Sequence, residues 1–499
     1  MKFRLTDSNK ILAPIIFGLI SLYMYAPLAA QDSLWAVNFG GKYNESTGGI
    51  DRLATGDFIL CGSTYSYGAG EYDIYVIKTD SVGTVLWDET FGDTATEYGN
   101  DIQKTSDNGF IISGSTNSTG AGKRDLYLLK IDSVGNELWS KTYGGTSHED
   151  GHSVQELYDK GFIVCGTTES FGTGTDIYLL RTDSLGDTLW TKTYGGSNGE
   201  SGAEVRVTSD SGFIMIGNTG SYGTGYSSIY VVRTDSIGDT VWTATYGNDR
   251  ADMGAAIELT NDNGFILGGT TVLDGENYYD AYAVKIDSLG VLEWDSTYGG
   301  SYEDRIYSIK TTPDGGYIFG GITDNGGARK MDIMMLKTDA AGATEWSNSI
   351  GGDESDYCRS VILDGQNDYF ALGYSYSAST GGSDMYLAKI QRAGATAVDD
   401  YQPLLPNDLY TLSQNYPNPF NLSTQIDFTL LRQSSYSITI FNILGQVVRR
   451  WEDDFVPAGN YILTWDGTDE NGSVISSGVY FYRLQASDFV DTKKMVLVK

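Results

Sequence analysis

Seven tryptophans, Trp35, Trp87, Trp139, Trp190, Trp242, Trp294 and Trp346, recur at steps of 52, 52, 51, 52, 52 and 52 residues. A period of roughly 50 residues is the size of one small supersecondary unit that stacks on copies of itself. Phe58, Phe110, Phe162, Phe213, Phe265, Tyr317 and Tyr369 keep the same step, as do Asp73, Asp125, Asp176, Ser228, Asp280, Asp332 and Asp384. The copy from Ser153 to Gly196 contains four short runs, SVQEL, GFIVCGTT, DIYLLRT and TLWTKTYGG. Turn chemistry rich in Gly, Asp and Ser separates them, so they are expected as strands a to d. The Asp-Ser-x-Gly corner between c and d marks a hairpin. Each copy then forms a four-stranded antiparallel meander, and radial stacking of meanders gives an all-β propeller whose edges are protected by closure.

The order of the runs supports closure. A d-type run, LWAVNFGG (Leu34 to Gly41), comes first; six full a-b-c-d copies follow; the seventh supplies only CRSVIL, DYFALG and DMYLAKI. Pairing LWAVNFGG beside DMYLAKI completes seven blades with the N-terminal strand closing the last. An open solenoid would instead want atypical capping repeats. The repeat resembles kelch-type propeller repeats: a glycine-ended b strand, an aromatic in c and a tryptophan at the start of d, with double glycines at Gly268-Gly269 and Gly320-Gly321. That resemblance implies the fold, with strand a innermost, and no activity.

The chain carries 33 Lys+Arg against 65 Asp+Glu, a formal charge of −32. Nucleic acid is excluded as a partner, because phosphate binding needs a basic footprint. Cys61 and Cys165 occupy nearly the same slot two blades apart, so a bridge between them is not expected. All three cysteines, Cys358 included, read as small buried apolar side chains or as a reactive thiol left over from an odd count. Lys2, Arg4 and Lys10 precede the apolar ILAPIIFGLISLYMY, and Pro27 to Ala30 supply small residues before Gln31. This reads as an export signal cleaved near Ala30, with no membrane span in the mature chain. The expected organisation is a signal peptide (1–30), the propeller (31–391), a polar linker (392–414) and a C-terminal domain (415–499).

The C-terminal segment has alternating strands, TQIDFTLL, YSITIFNILGQVV, GNYILTWDG, GVYFYRLQA and KKMVLVK, expected as a small antiparallel sandwich. NYPNPFN, ITIFNILGQVVRR, PAGNYILTWDGTDENGSVISSGVYFYRL and KKMVLVK together resemble the C-terminal sorting domain of cargo for the bacterial type IX secretion system. WDGTDENG and SSGVYFYRL also resemble the immunoglobulin-like domain of flagellar hook-capping proteins. The first resemblance implies a Gram-negative source, export, passage through the outer membrane and delivery to the cell surface or medium. It makes the type IX machinery a partner, engaged through Asn415, Tyr416, Pro417, Asn418, Pro419 and Phe420 and a basic tail of Lys493, Lys494 and Lys499. Those lysines serve equally as the blunted edge of a sheet.

A ring of meanders has two faces. The a–b and c–d turns are stereotyped, whereas the d–a and b–c loops vary and are where a rigid scaffold would carry a ligand. Carboxylates of the d–a loops, Glu97, Glu149, Asp150, Glu200, Asp252, Glu303, Asp304 and Asp356, are expected at the channel mouth. There they either form a ring suited to Ca²⁺ or a hydroxyl-rich ligand, or are plain solvated loops. Tyr67, Phe171, Tyr222, Tyr226 and Tyr278 in the b–c loops either stack on sugars or peptides or pack one loop on its neighbour. His148 and His152 share one loop, without a distinctive third metal ligand. No cofactor is implied. The expected function is a secreted or surface binding or adhesion module for a glycan or protein. The alternative is a polysaccharide lyase or hydrolase using two loop carboxylates.

Overall fold

The computed structural model describes residues 33–390 apart from 274–277, 301, 325–329, 365–367, 378 and 380, and residues 410–498 apart from 413–414, 416, 422, 431–433, 444, 457–458, 471 and 487–488. The expected signal peptide, most of the expected linker, Tyr416 and Lys499 lie outside the described residues. The chain divides into two compact units, Met1–Gly394 and Ala395–Lys499.

The first unit is a β-propeller built from seven four-stranded antiparallel sheets among the described residues. Six sheets take their strands in chain order, as in Glu149–Glu156, Phe162–Thr168, Asp176–Thr182 and Thr188–Tyr194. The remaining sheet holds Asp356–Leu363, Tyr369–Ser375 and Asp384–Ile390, and Ser33–Phe39 completes it, with Ala36 opposite Ala388 and Phe39 opposite Met385. The first strand of each sheet packs against that of the next. Glu45–Arg52 also packs against Asp356–Leu363, so the circuit closes.

The shared period of Trp and Phe has a packing cause. Six of the seven outer-strand tryptophans sit on the aromatic that opens the second strand of the following sheet. Ring centroids are 6.4 Å apart for Trp87–Phe110, 5.9 Å for Trp139–Phe162 and 5.3 Å for Trp346–Tyr369. Trp35 on Phe58, at 6.4 Å, repeats the contact across the seam. The second and third strands are buried along almost their whole length, so each holds an unbroken apolar stretch of several residues. The tight c–d turn ends in glycine because the backbone there is left-handed (φ +79° at Gly186) and lies on the preceding sheet's Trp139. Tyr143 Oη donates to Gly186 O at 2.6 Å, locking that turn to the neighbouring sheet.

Side chains on the inner strands also stitch sheet to sheet. Asp101 Oδ2 accepts from Val154 N at 2.9 Å, Gln155 Oε1 from Val207 N at 3.0 Å and Glu204 Oε2 from Ile257 N at 2.7 Å. The polar atoms of one copy thus satisfy backbone donors of the next, as buried donors require.

The second unit has a three-stranded sheet (Tyr410–Leu412, Thr424–Leu430, Gly459–Trp465) and a four-stranded sheet (Val447–Val456, Ser434–Asn442, Gly478–Ala486, Phe489–Leu497). One core unites them: Ile426, Phe428 and Trp465 from the first meet Ile438, Ile440, Tyr482 and Leu484 from the second. Tyr410–Leu412 falls in the expected linker. It is instead a strand, because it pairs with Thr424–Leu430 and buries Leu412.

Candidate functional site

The d–a carboxylates stand at the start of the inner strands, but most do not present open oxygens at the mouth. Glu97, Glu149, Glu200, Asp252, Asp304 and Asp356 are all buried, as is Glu45, the equivalent in the first sheet. Each closes its own loop. Glu149 Oε2 accepts from Gly145 N at 2.8 Å and Oε1 from Thr168 Oγ1 at 2.8 Å. Glu97 and Glu200 repeat this with Asp93 N and Thr116, and with Gly196 N and Thr219. Asp252, Asp304 and Asp356 accept from Asn248, Gly300 and Gly352 N at 2.7, 2.9 and 2.9 Å. The two remaining acids are spent on arginines: Asp150 on Arg124 at 2.6 Å, and Glu303 on Arg305, whose Nε lies 2.6 Å away. The reason is one of direction: a carboxylate at the first inner-strand position is turned back under the loop, where unpaired amide donors await it.

A second acid accompanies these. The aspartate opening the third strand reaches the same glycine at the end of the outer strand: a Cβ on Gly92, Gly144 or Gly195 would collide with both carboxyls. Burial raises Asp73 and Asp176, and to a lesser degree so do the facing Glu97 and Glu200. Burial and the Glu45 carboxylate push Asp384 up to about 7.

The open feature is a central cavity of about 880 Å³, lined by inner-strand residues of every sheet, from Ser46 and Asn100 through His152, Ser201 and Ala255 to Tyr307 and Arg359. Its walls differ. On one side Arg359 lies over Tyr307 at 4.5 Å and Tyr374 at 5.9 Å, and Tyr374 stacks on Tyr357 at 4.6 Å. Nearby Arg305 covers Tyr279 at 4.5 Å. On the other side stand amides and hydroxyls: Asn218 Nδ2 donates to Ser201 Oγ at 3.2 Å, and Asn100 Nδ2 to Gly151 O at 2.8 Å. Burial holds His152 below the usual imidazole range. This arginine–tyrosine wall is absent from the sequence-based candidates. Its signal is a slot reading Gly48, Asn100, His152, Ala203, Ala255, Tyr307 and Arg359, where the repeat is broken most strongly in its last two copies.

The loop aromatics divide. Tyr67 Oη donates to Gly40 O and Tyr222 Oη to Gly195 O, both at 2.8 Å, while Phe171 stacks on Tyr178 at 5.6 Å. These three pin loops. Tyr278 meets Tyr302 at 5.7 Å, and Tyr226 is 90% exposed. A smaller cavity of about 250 Å³, lined by Lys42, Tyr43, Asn44, Tyr65 and Tyr72, shares Asn44 and Tyr72 with the central one. Cys61, Cys165 and Cys358 are free and buried. Among the described residues no three His, Cys, Asp or Glu side chains gather as a metal site, and no helix is long and apolar enough to cross a membrane.

In the second unit Asn418 and Phe420 are hydrogen-bonded along Phe489–Leu497. Phe420 N donates to Val496 O at 3.0 Å, Val498 N to Phe420 O at 2.8 Å, and Val496 N to Asn418 Oδ1 at 2.9 Å. Asn415 is buried and its Nδ2 bridges Thr424 Oγ1 (2.8 Å) and Pro417 O (3.1 Å). Phe420 packs on Trp465 at 5.5 Å. Pro417, Asn418 and Pro419 are exposed. Lys493 pairs with Asp491 at 3.5 Å and Lys494 is exposed, both on a strand at the edge of its sheet.

The family model for a secretion system C-terminal sorting domain matches residues 414–499. The regulatory protein FlaEY of Caulobacter vibrioides is 26% identical over 164 residues, and the match spans 28% of this chain and only 17% of that relative. Among solved structures, the Pan2 WD40 domain of Neurospora crassa aligns over 72% of this chain and 96% of its own, at 8% identity and a TM-score of 0.44. The β-propeller domain of the Trilobed protease from Pyrococcus furiosus aligns over 74% and 98%, at 8% identity and 0.39. PorZ, a surface component of the type IX secretion system of Porphyromonas gingivalis, aligns over 93% and 85%, at 11% identity and 0.24. The region 414–499 is a type IX secretion C-terminal sorting domain, and the unit ahead of it is a β-propeller.

Proposed function

We propose that this chain is a secreted or cell-surface binding module, a seven-bladed propeller delivered by an immunoglobulin-like sorting domain, which holds an extracellular glycan or protein ligand at its central cavity. The observation that carries this reading is the cavity of about 880 Å³ to which every sheet contributes, on a chain addressed for export. A concave site of a few hundred to a thousand Å³ with convergent polar groups is the usual form of a ligand pocket. The closed circuit of inner strands supports the blade count, and the two sheets around one core support the sandwich.

The hydrolase or lyase alternative relied on loop carboxylates facing a substrate. Those groups are committed to loop amides and arginines, so nothing in their geometry favours it. The test is binding of the full mature chain to glycan and extracellular-protein arrays, with Ca²⁺ and with chelator. Saturable binding that Ala255→Trp abolishes by filling the cavity is expected. Arrays without any bound member would sink the reading.

A further inference from the structure

The geometry points to an oligosaccharide bearing oxyanions, carboxylate or sulfate, as the occupant of the central cavity, read by Arg359; this rests on the binding-module reading above.

The first argument is charge. The chain is strongly acidic, yet the charged side chains lining this cavity are Arg305, Arg359 and Glu45, beside His152. Glu45 is buried, its oxygens accepting from Thr64 Oγ1 at 2.7 Å and Gly41 N at 3.0 Å. Arg305 is neutralised by Glu303. Arg359 remains: exposed, and among the described residues paired with no carboxylate. Its guanidinium lies over Tyr307 and against Tyr374, with which it also interacts through a hydrogen bond, and its remaining N–H groups are left for a ligand. A planar fork held on aromatic faces suits a carboxylate or sulfate, which it can grip with two parallel hydrogen bonds.

The second argument is the rest of the lining. Tyr72, Tyr374 and Tyr376 offer ring faces for the apolar side of a sugar, and Asn100, Ser201 and Asn218 offer partners for hydroxyls. An acidic peptide would want aliphatic pockets, and the lining supplies little besides Met253, since Ile306 is buried. The third argument is shape. The smaller cavity continues from Asn44 and Tyr72 along Tyr65 and Tyr43, with ring centroids 5.1 and 5.5 Å apart, to the exposed Lys42. Two adjoining cavities, each with one cation outside any ion pair among the described residues (Arg359 and Lys42), fit a chain with repeated charge.

The test is calorimetry on the full mature chain with four length-matched probes: an oligogalacturonate, a sulfated galacto-oligosaccharide, a neutral galacto-oligosaccharide and an oligoglutamate peptide. At least one anionic sugar is expected to bind tenfold or more tighter than the neutral one, and to weaken with added salt. Arg359→Gln should lose about tenfold or more of that affinity, with Arg359→Lys between the two, and unfolding midpoints unchanged because the side chain is exposed. The carboxylate and sulfate arms identify the source of the oxyanion. Equal binding of neutral and anionic sugars, or an unchanged Arg359→Gln, overturns the inference while the binding-module reading stands. Preference for oligoglutamate overturns it as to ligand class. Four silent probes beside a positive array overturn it alone; four silent probes and silent arrays overturn both.

Discussion

Asp384 and Glu45, 339 positions apart in the chain, face one another as two buried carboxyl groups at the seam where the two ends of the ring meet. Gly40 lies so close to both that a Cβ there would collide with each. Burial and the Glu45 charge lift Asp384 from an ordinary 3.8 to about 7. A carboxyl raised in the folded state contributes stability that is complete below its unfolded pKa and is lost as pH rises through the folded one. Asp107, Asp262 and Asp314 run the other way. Hydrogen bonds and ion pairs outweigh partial burial and hold them at about 2, so their contribution is present at neutral pH and lost on strong acidification. Thermal unfolding should therefore be highest at about pH 4 to 6 and fall towards pH 8. Asp384→Asn should flatten the fall on the alkaline side. A midpoint that climbs from pH 5 to 8 would contradict the assignment.

Glycines at the loops are not equivalent. Gly92 has no room for a Cβ between Asp73 and Glu97, and Gly92→Ala should cost about 2 kcal/mol or more. Gly199 is exposed with nothing within 4 Å of a Cβ, and Gly199→Ala should change stability by less than about 0.5 kcal/mol. Urea unfolding of the two variants side by side checks the contrast.

Ring closure depends on Trp35, which touches Phe58 of the first sheet at 6.4 Å and Phe370 of the last at 6.0 Å. Trp35→Ala should cost about 3 kcal/mol. Deleting residues 33–39 should do more, because it bares the edge of Asp384–Ile390 to other chains. Size-exclusion chromatography of that deletion is expected to show higher oligomers.

In the sorting domain, Asn415→Ala removes the amide that bridges Thr424 and Pro417 in a buried setting. A cost of about 1 to 3 kcal/mol to this domain is expected. Cells should retain the variant, read as a lower ratio of surface or medium protein to periplasmic protein, while the propeller's unfolding is unchanged.

Much of the ring was legible in the sequence because a stacking contact must recur when its unit recurs: Trp87 on Phe110 and Trp139 on Phe162 are one contact repeated. The d-type run at the start foretold the seam between Ser33–Phe39 and Asp384–Ile390. The site was harder to read, for two physical reasons. A carboxylate present in every copy, as at Glu97, Glu149 and Glu200, serves what every copy needs, a closed loop, and recurrence alone does not tell that from a rim of ligands. The inner strands also carry a register shift, between Gly151 and Ser153 in the third sheet and Cys358 and Ser360 in the last. The extra residue is His152 or Arg359, and it breaks the simple alternation by which a strand's channel-facing side chains are counted.

The bonds between Phe420 and the strand Phe489–Leu497 also set an order of events. Asn418 and Phe420 gain these partners only once that strand has been synthesised. A chain broken off upstream leaves Asn418 and Phe420 without those bonds, and the opening motif unfinished.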